Sequence, residues 1–245
     1  MKLLSIDTST PRGSVALLDG DALVGETRLL SSQPHAVRLL PAIEYLLSGC
    51  AWRLADLDLV VVGCGPGSFT GIRIGVATGL GLAQTLGKPL APVSTLDALG
   101  YALAQLHASL GCAPRSVRLG IVMDAGRGQV YYSEYRAAAG EIHESRAPVL
   151  ASPDALRRTF RGRPLRMAGD GAVRYARELG VTRTGGRRVV TLDLFLAAPM
   201  ARLALRRRHT WRQGDYLAAE PLYIRPPDAL VQRRQGVGRE RRSGR

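Results

Sequence analysis

The run Gly65-Pro66-Gly67-Ser68-Phe69-Thr70-Gly71-Ile72-Arg73-Ile74-Gly75 constrains the chain more tightly than any other stretch. An apolar segment, Leu57 to Val62, leads into it, and a helical pattern to Leu86 follows. A strand, a glycine turn and a helix start, in that order, aim backbone N–H groups at an anion. Ser68 or Thr70 is placed to cap the helix. Two motifs of similar appearance do not match. A P-loop carries a lysine after its last glycine, and this turn has none. A nucleophile elbow reads Gly-x-Ser-x-Gly, whereas Ser68 directly follows Gly67.

Beyond the turn, Gly71, Gly75, Gly79, Ala83 and Gly87 recur every fourth residue and stack in one row along a helix. Each glycine costs roughly 0.8–1 kcal/mol of helix propensity against alanine, so the row must recover it through close backbone approach. Two neighbours satisfy that demand: the chain's own sheet, or a helix from another chain.

At 245 residues the chain can bury a sizeable core, as one large domain or two small ones. No apolar run has transmembrane length, and Met1-Lys2-Leu3-Leu4 enters a strand pattern with no signal peptide. Cys50, Cys64 and Cys112 are scattered, with no Cys-x-x-Cys pair, which predicts a reduced cytoplasmic protein without disulfide framework or zinc site. The formal charge of +14 and pI near 10.7 favour an acidic partner such as RNA. Lys2 and Lys88 are the only lysines, however, and GC-rich coding would give the same arginine bias. Aromatics are few and not interleaved with the arginines, so no base-stacking platform is visible.

Read in order, Leu3–Ile6, Ser14–Leu18 and Leu23–Leu29 are strands, with Asp7 closing the first and Asp19-Gly20 turning the second. Ser31 or Ser32 opens a helix with Pro34 in its first turn. Its apolar positions Val37, Leu40, Ile43 and Leu47, with Ala36, Leu39 and Leu46 alongside, form a stripe broad enough to want cover on more than one side. The strand before the glycine turn, the small-residue helix, a strand at Leu90–Val93 and a helix from Ser94 or Thr95 complete the order βββαβαβα. After Cys112-Ala113-Pro114 the order recurs: Arg118–Met123 ending at Asp124, Val130–Arg136, Glu141–Arg146, a helix near Ser152, Leu165–Ala168, a helix from Gly169-Asp170-Gly171 to near Gly180, Val189–Val190, and a last helix over Leu194–Arg208. The expected class is therefore α/β, an actin-like ATPase fold of two halves, in which nucleotide lies in the cleft between them. The halves are placed at 1–113 and 114–225, with a polar, arginine-rich tail at 226–245 read as disordered.

Several segments together carry a family resemblance: Leu4-Ser5-Ile6-Asp7-Thr8-Ser9-Thr10, Ser14-Val15-Ala16-Leu17, His35 with Leu39-Leu40-Pro41, and Gly65–Gly75. Val93-Ser94-Thr95-Leu96-Asp97-Ala98-Leu99, Asp124-Ala125-Gly126-Arg127-Gly128-Gln129-Val130-Tyr131 and Pro221-Leu222-Tyr223-Ile224-Arg225 extend it over all but the tail. The chain resembles the bacterial family TsaB, also called YeaZ. That resemblance implies a role in forming N6-threonylcarbamoyladenosine (t6A) at position 37 of tRNA. It implies a non-catalytic relative of the transferase TsaD, pairing with TsaD through its N-terminal half and joined by TsaE, a small ATPase. A separate synthase makes the threonylcarbamoyl-adenylate donor. Homodimerisation through the same face is the competing arrangement, tRNA is met through the complex, and no membrane is involved. An older glycoprotease label on the wider superfamily gains nothing from these residues.

The transferase relative holds a metal with a His-x-x-x-His pair, two imidazoles on one helix face. Here His35 has Leu39 four residues on, and His107, His143 and His209 are isolated, so no metal site and no catalytic residue is expected. The expected partner or dimer face comprises His35, Leu39, Ile43 and Leu46 on the first helix and Gly71, Arg73, Gly75, Gly79 and Ala83 on the second. Arg73 sits against the helix dipole, held by a partner anion or snorkelling to solvent. Asp7, Thr8, Ser9, Gly65, Gly67, Ser68, Asp124, Gly126 and Gly128 are the candidate phosphate-binding set, opposed by a reading in which they only shape turns. The expected cofactor is none of the chain's own, with ATP or ADP and Mg2+ at a site shared in the complex. The alternative function is an actin-fold small-molecule kinase or ATPase, which Thr8-Ser9-Thr10-Pro11 disfavours by lacking a phosphate loop's glycine.

Overall fold

A computed structural model describes residues 1–30, 33–110, 116–160, 164–181, 187–193, 195–208, 211, 214, 216, 220–222 and 224. Ten strands and six α-helices follow in the order β1 (Lys2–Asp7), β2 (Arg12–Asp19), β3 (Ala22–Leu30), α1 (His35–Gly49), β4 (Leu59–Gly65), α2 (Phe69–Leu86), β5 (Leu90–Ser94), α3 (Thr95–Ser109), β6 (Val117–Gly126), β7 (Gln129–Ala138), β8 (Glu141–Ala151), α4 (Pro153–Thr159), β9 (Leu165–Ala168), α5 (Asp170–Arg174), β10 (Arg187–Val189) and α6 (Ala197–Arg206). The first sheet runs β3-β2-β1-β4-β5 and the second β10-β9-β6-β7-β8, the same order when each half is counted from its own first strand. In both, the first strand pairs antiparallel with the second and parallel with the fourth. The βββαβαβα duplication is thus a duplication of topology, and the α/β, actin-like architecture follows from it.

Five layers alternate. α1 and α2 cover the outer face of the first sheet, α3 and α6 lie between the sheets, and α4 and α5 cover part of the outer face of the second. β1 and β4 read as continuous apolar runs because both of their faces are covered. Leu4, Ile6, Val60 and Val62 point to the α1–α2 layer, whereas Leu3, Leu59 and Val61 point to the middle layer. α6 belongs by sequence to the second half but rests on β1, β2, β4 and β5, and α3 rests on β6, β7 and β8. Each half's last helix therefore closes the other half's core.

Local chemistry sets the element ends. Ser68 Oγ accepts from Gly71 N at 3.2 Å and Ser94 Oγ from Asp97 N at 3.4 Å, capping α2 and α3. Gly87 ends α2 at φ +62°, with Lys88 N donating to Ala83 O at 2.9 Å. Gly87 is therefore a C-cap and not a member of the small-residue row. The Ser31 or Ser32 cap lies outside the described residues, and Pro34 stands at the N-cap position of α1. The helix after Gly169 is one turn long, not a helix to Gly180. Cys112, His209, the Leu194 start of the last helix, the 113/114 boundary and the 226–245 tail also lie outside the described residues.

Candidate functional site

The loop after β1 is closed by the glycine turn that opens α2. Thr8 Oγ1 donates to Gly71 O at 2.7 Å, and Ser68 N donates to Ser9 O at 2.7 Å. A Cβ on Gly67 would overlap the Ser9 carbonyl, and one on Gly71 would overlap the Thr8 carbonyl. The turn needs glycine because the neighbouring backbone occupies the space of a side chain. Of the candidate phosphate set, Asp7, Thr8, Ser9, Gly65, Gly67 and Ser68 are thus brought together, and their polar groups are largely turned on one another.

Asp7 is fully buried. Its Oδ1 accepts from Ser9 N at 2.9 Å, and its Oδ2 has no partner among the described residues. The carboxylate sits where a Cβ on Gly63 would meet both Asp7 Oδ1 and the Met200 methyl. Burial pushes the carboxyl up to about 6, outweighing the lowering influence of Ser9 and the His35 imidazole. Asp124, its counterpart at the end of β6, is differently placed. Its Oδ2 accepts from Arg174 Nη1 at 2.6 Å, and its Oδ1 from Gly126 N at 2.9 Å and Tyr175 Oη at 3.3 Å. Gly126 and Gly128 take φ of +69° and +70° in the β6–β7 hairpin, and a Cβ on either would meet nothing within 4 Å.

Between the two loops lies a cavity of about 430 Å³, with Thr10, Arg12 and Leu30 on one side and Gly169, Asp170, Val173 and Arg174 on the other. None of the nine candidate phosphate residues lines it. A magnesium nucleotide needs an ionised carboxylate open to the ion and free backbone N–H groups for phosphate. Asp7 is sealed, Asp124 is paired with Arg174, and the glycine turn is taken by Thr8 and Ser9, so these residues do not fit that group within the lone chain. Among the described residues no group of three His, Cys, Asp or Glu side chains is arranged to hold a metal ion. His35 opens α1, and its Nε2 lies 3.0 Å from Thr10 O, with the ring over Gly13. A carbonyl only accepts, so that nitrogen carries the proton.

The expected partner face needs correction. Gly71, Gly75, Gly79 and Ala83 are buried against the chain's own β1 and β4: a Cβ on Gly75 would overlap Thr8 Oγ1, and one on Gly79 would overlap Val62 Cγ1. Leu39, Ile43 and Leu46 are buried in the core beneath α1. The row is small so that α2 can sit close to its own sheet, and no companion reaches it. What α1 and α2 show to solvent shares Arg73 with the expected face but is otherwise a different set. Val37, Leu40 and Tyr45 are 62%, 51% and 75% exposed on α1. On α2 the outward residues include Phe69, Arg73, Ala77 and Gly81, with the Arg73 guanidinium 3.8 Å from the Phe69 ring centroid. The broad stripe on α1 signalled this second face, while Tyr45 carried no distinguishing pattern.

The architecture and its loops define a class: an actin-like protein of two similar halves, whose loop after the first strand is closed upon the glycine turn. A family model described as TsaD, tRNA N6-adenosine threonylcarbamoyltransferase, matches residues 29–176. The chain belongs to that family, in its TsaB (YeaZ) branch. It is 38% identical over 135 residues to an uncharacterized protein of Mycobacterium tuberculosis, covering 54% of this chain and 58% of that one. It is 37% identical to the Bacillus subtilis tRNA threonylcarbamoyladenosine biosynthesis protein TsaB, over 59% of each chain. The chain thus spans just under three-fifths of the length of these two relatives. YeaZ from Pseudomonas aeruginosa superposes with a TM-score of 0.73 at 27% identity, covering 91% of this chain and 99% of that one.

Proposed function

We propose that the chain is a non-catalytic subunit of the system that forms t6A at position 37 of tRNA, acting by binding a TsaD-type transferase together with TsaE. The carrying observation is the outward side of α1 and α2, where Val37, Leu40 and Tyr45 are exposed on α1 and the small residues Ala77 and Gly81 are exposed on α2. Large apolar side chains exposed together mark interaction sites. A relative of the same fold would offer the matching helix pair, and Ala77 and Gly81 permit short interaxial distances in a four-helix contact. Arg73 is positioned on this face to meet a partner carboxylate. The self-closed loops around Asp7 and Asp124 support a reading without independent turnover, in which any ATP or ADP with Mg2+ would sit at a site shared with the partners. They also disfavour the alternative of a small-molecule kinase or ATPase. No helix among the described residues is long and apolar enough to cross a membrane, and we assign the chain to the cytoplasm, where its tRNA would be met.

Size-exclusion of the full chain with TsaD and TsaE, with and without ATP, tests this. Leu40→Asp with Tyr45→Asp should leave the melting temperature near wild type and weaken TsaD association at least tenfold, since central apolar anchors dominate such contacts. A double variant that co-elutes with TsaD at wild-type affinity would overturn the reading. A second copy of this chain is the competing occupant, and the same variant should also suppress any self-association.

A further inference from the structure

Charge is divided unevenly along the chain. Residues 1–113 carry seven Lys and Arg against eight Asp and Glu, whereas residues 114–225 carry 21 Arg against ten Asp and Glu. Coding bias alone would enrich arginine in both halves, which are almost equal in length.

The second sheet gathers part of this surplus on one face. Along β6, β7 and β8, alternate residues point away from the middle layer. Arg118 and Arg136 are cross-strand neighbours there, and Arg136 stands opposite His143. Arg146 lies in the next row opposite Glu134, its guanidinium 5.5 Å from the Tyr132 ring centroid and donating to Thr159 Oγ1 at 3.2 Å. That bond brings it beside α4, whose Arg157 and Arg158 are exposed, as are Arg136 and His143. Glu134 is the acid in these rows, and it is spent internally, accepting from the Arg118 guanidinium and from Tyr132 Oη at 2.9 Å.

We infer that this face binds the phosphate backbone of RNA, so that the chain touches tRNA directly through its C-terminal half while its N-terminal half holds the protein partner. The t6A reading supplies the identity of the RNA; the polyphosphate chemistry comes from the face itself. Guanidinium groups match phosphate oxygens in paired hydrogen bonds. Tyr132 is buried, so no base-stacking platform accompanies them. The contact is therefore with backbone, indifferent to sequence and steeply dependent on salt.

The test is the anisotropy of a labelled, unmodified tRNA transcript titrated with the full chain between about 50 and 200 mM salt. Arg136→Ala/Arg157→Ala/Arg158→Ala removes three exposed charges from the face and should keep the wild-type circular dichroism. It should lower tRNA affinity at least tenfold and flatten the log K against log [salt] slope by about 2–3, while TsaD co-elution is retained. Arg28→Ala/Arg38→Ala/Arg53→Ala removes the same charge from the N-terminal half and should change the slope far less. The inference is overturned by a wild-type slope in the face variant, which would leave the binding elsewhere, or by equal losses in both variants. Binding of polyglutamate or anionic vesicles as tight as that of tRNA would also overturn it. TsaD co-elution is read independently, so these failures are separable from failure of the t6A reading.

Discussion

Asp7 and Asp124 close equivalent strands, yet their surroundings give them opposite characters. Asp124 is ion-paired at the surface with Arg174, while Asp7 lies beneath Gly63 and Met200 with one oxygen unpartnered among the described residues. Because burial raises the Asp7 carboxyl from 3.8 to about 6, the native state holds this proton more tightly than the unfolded chain. Stability from this group is therefore fully present below about pH 4 and is lost as pH rises through 6. Asp7→Asn keeps an acceptor for Ser9 N and removes the buried charge. It should raise unfolding free energy at pH 8 by on the order of 2–3 kcal/mol, with the gain shrinking towards pH 4, as measured by denaturant titration across that range. A gain independent of pH would show that the Asp7 carboxyl holds its proton no more tightly in the fold than in the unfolded chain. The acid at the end of β1 was legible in the sequence. Its burial was not, because the atoms that seal it come from residues 63 and 200.

Among the elements, α2 separates what a period can and cannot tell. The four-residue recurrence correctly predicts one close-packed row, but helical spacing is blind to what lies against the row. The two sides of α2 should respond oppositely to the same substitution. Gly71→Ala forces a methyl into the Thr8 carbonyl and should cost roughly 1–3 kcal/mol, more than the helix propensity it gains. Gly81→Ala faces solvent with nothing within 4 Å of the new methyl and should stabilise by up to about 1 kcal/mol. Paired urea titrations check both signs, and similar effects at the two sites would contradict the packing described. On α1 the expected partner residues Leu39, Ile43 and Leu46 are the buried ones for a related reason. Its broad stripe implies two apolar faces, and only the position of β2 and β3 decides that Leu39, Ile43 and Leu46 go inward while Val37, Leu40 and Tyr45 go out.

At the scale of the whole molecule, the halves share one interior through α3 and α6. Asp97 on α3 ties them further, accepting from Tyr135 Oη of the second sheet at 2.7 Å and from Arg207 Nη1, just past α6, at 2.5 Å. A chain cut after residue 110 loses α6 and uncovers the middle-layer face of the first sheet, including Leu3, Leu18, Leu59 and Val61. That fragment should bind a hydrophobic dye and lack a cooperative thermal transition, whereas the full chain should unfold in one step. A fragment that melts cooperatively would mean that the halves are independent units. By itself the sequence determined the order of elements, the duplication, the special turns at Gly65–Gly71 and Asp124–Gly128, and the family, because these depend on local periodicity, backbone permissiveness and residue identity. The tertiary structure alone decided which side of each helix is hidden, which of the two strand-end acids is sealed, and where the arginines of β6, β7, β8 and α4 meet. Those outcomes depend on what a residue far along the chain brings against a surface, and local spacing carries no record of that neighbour.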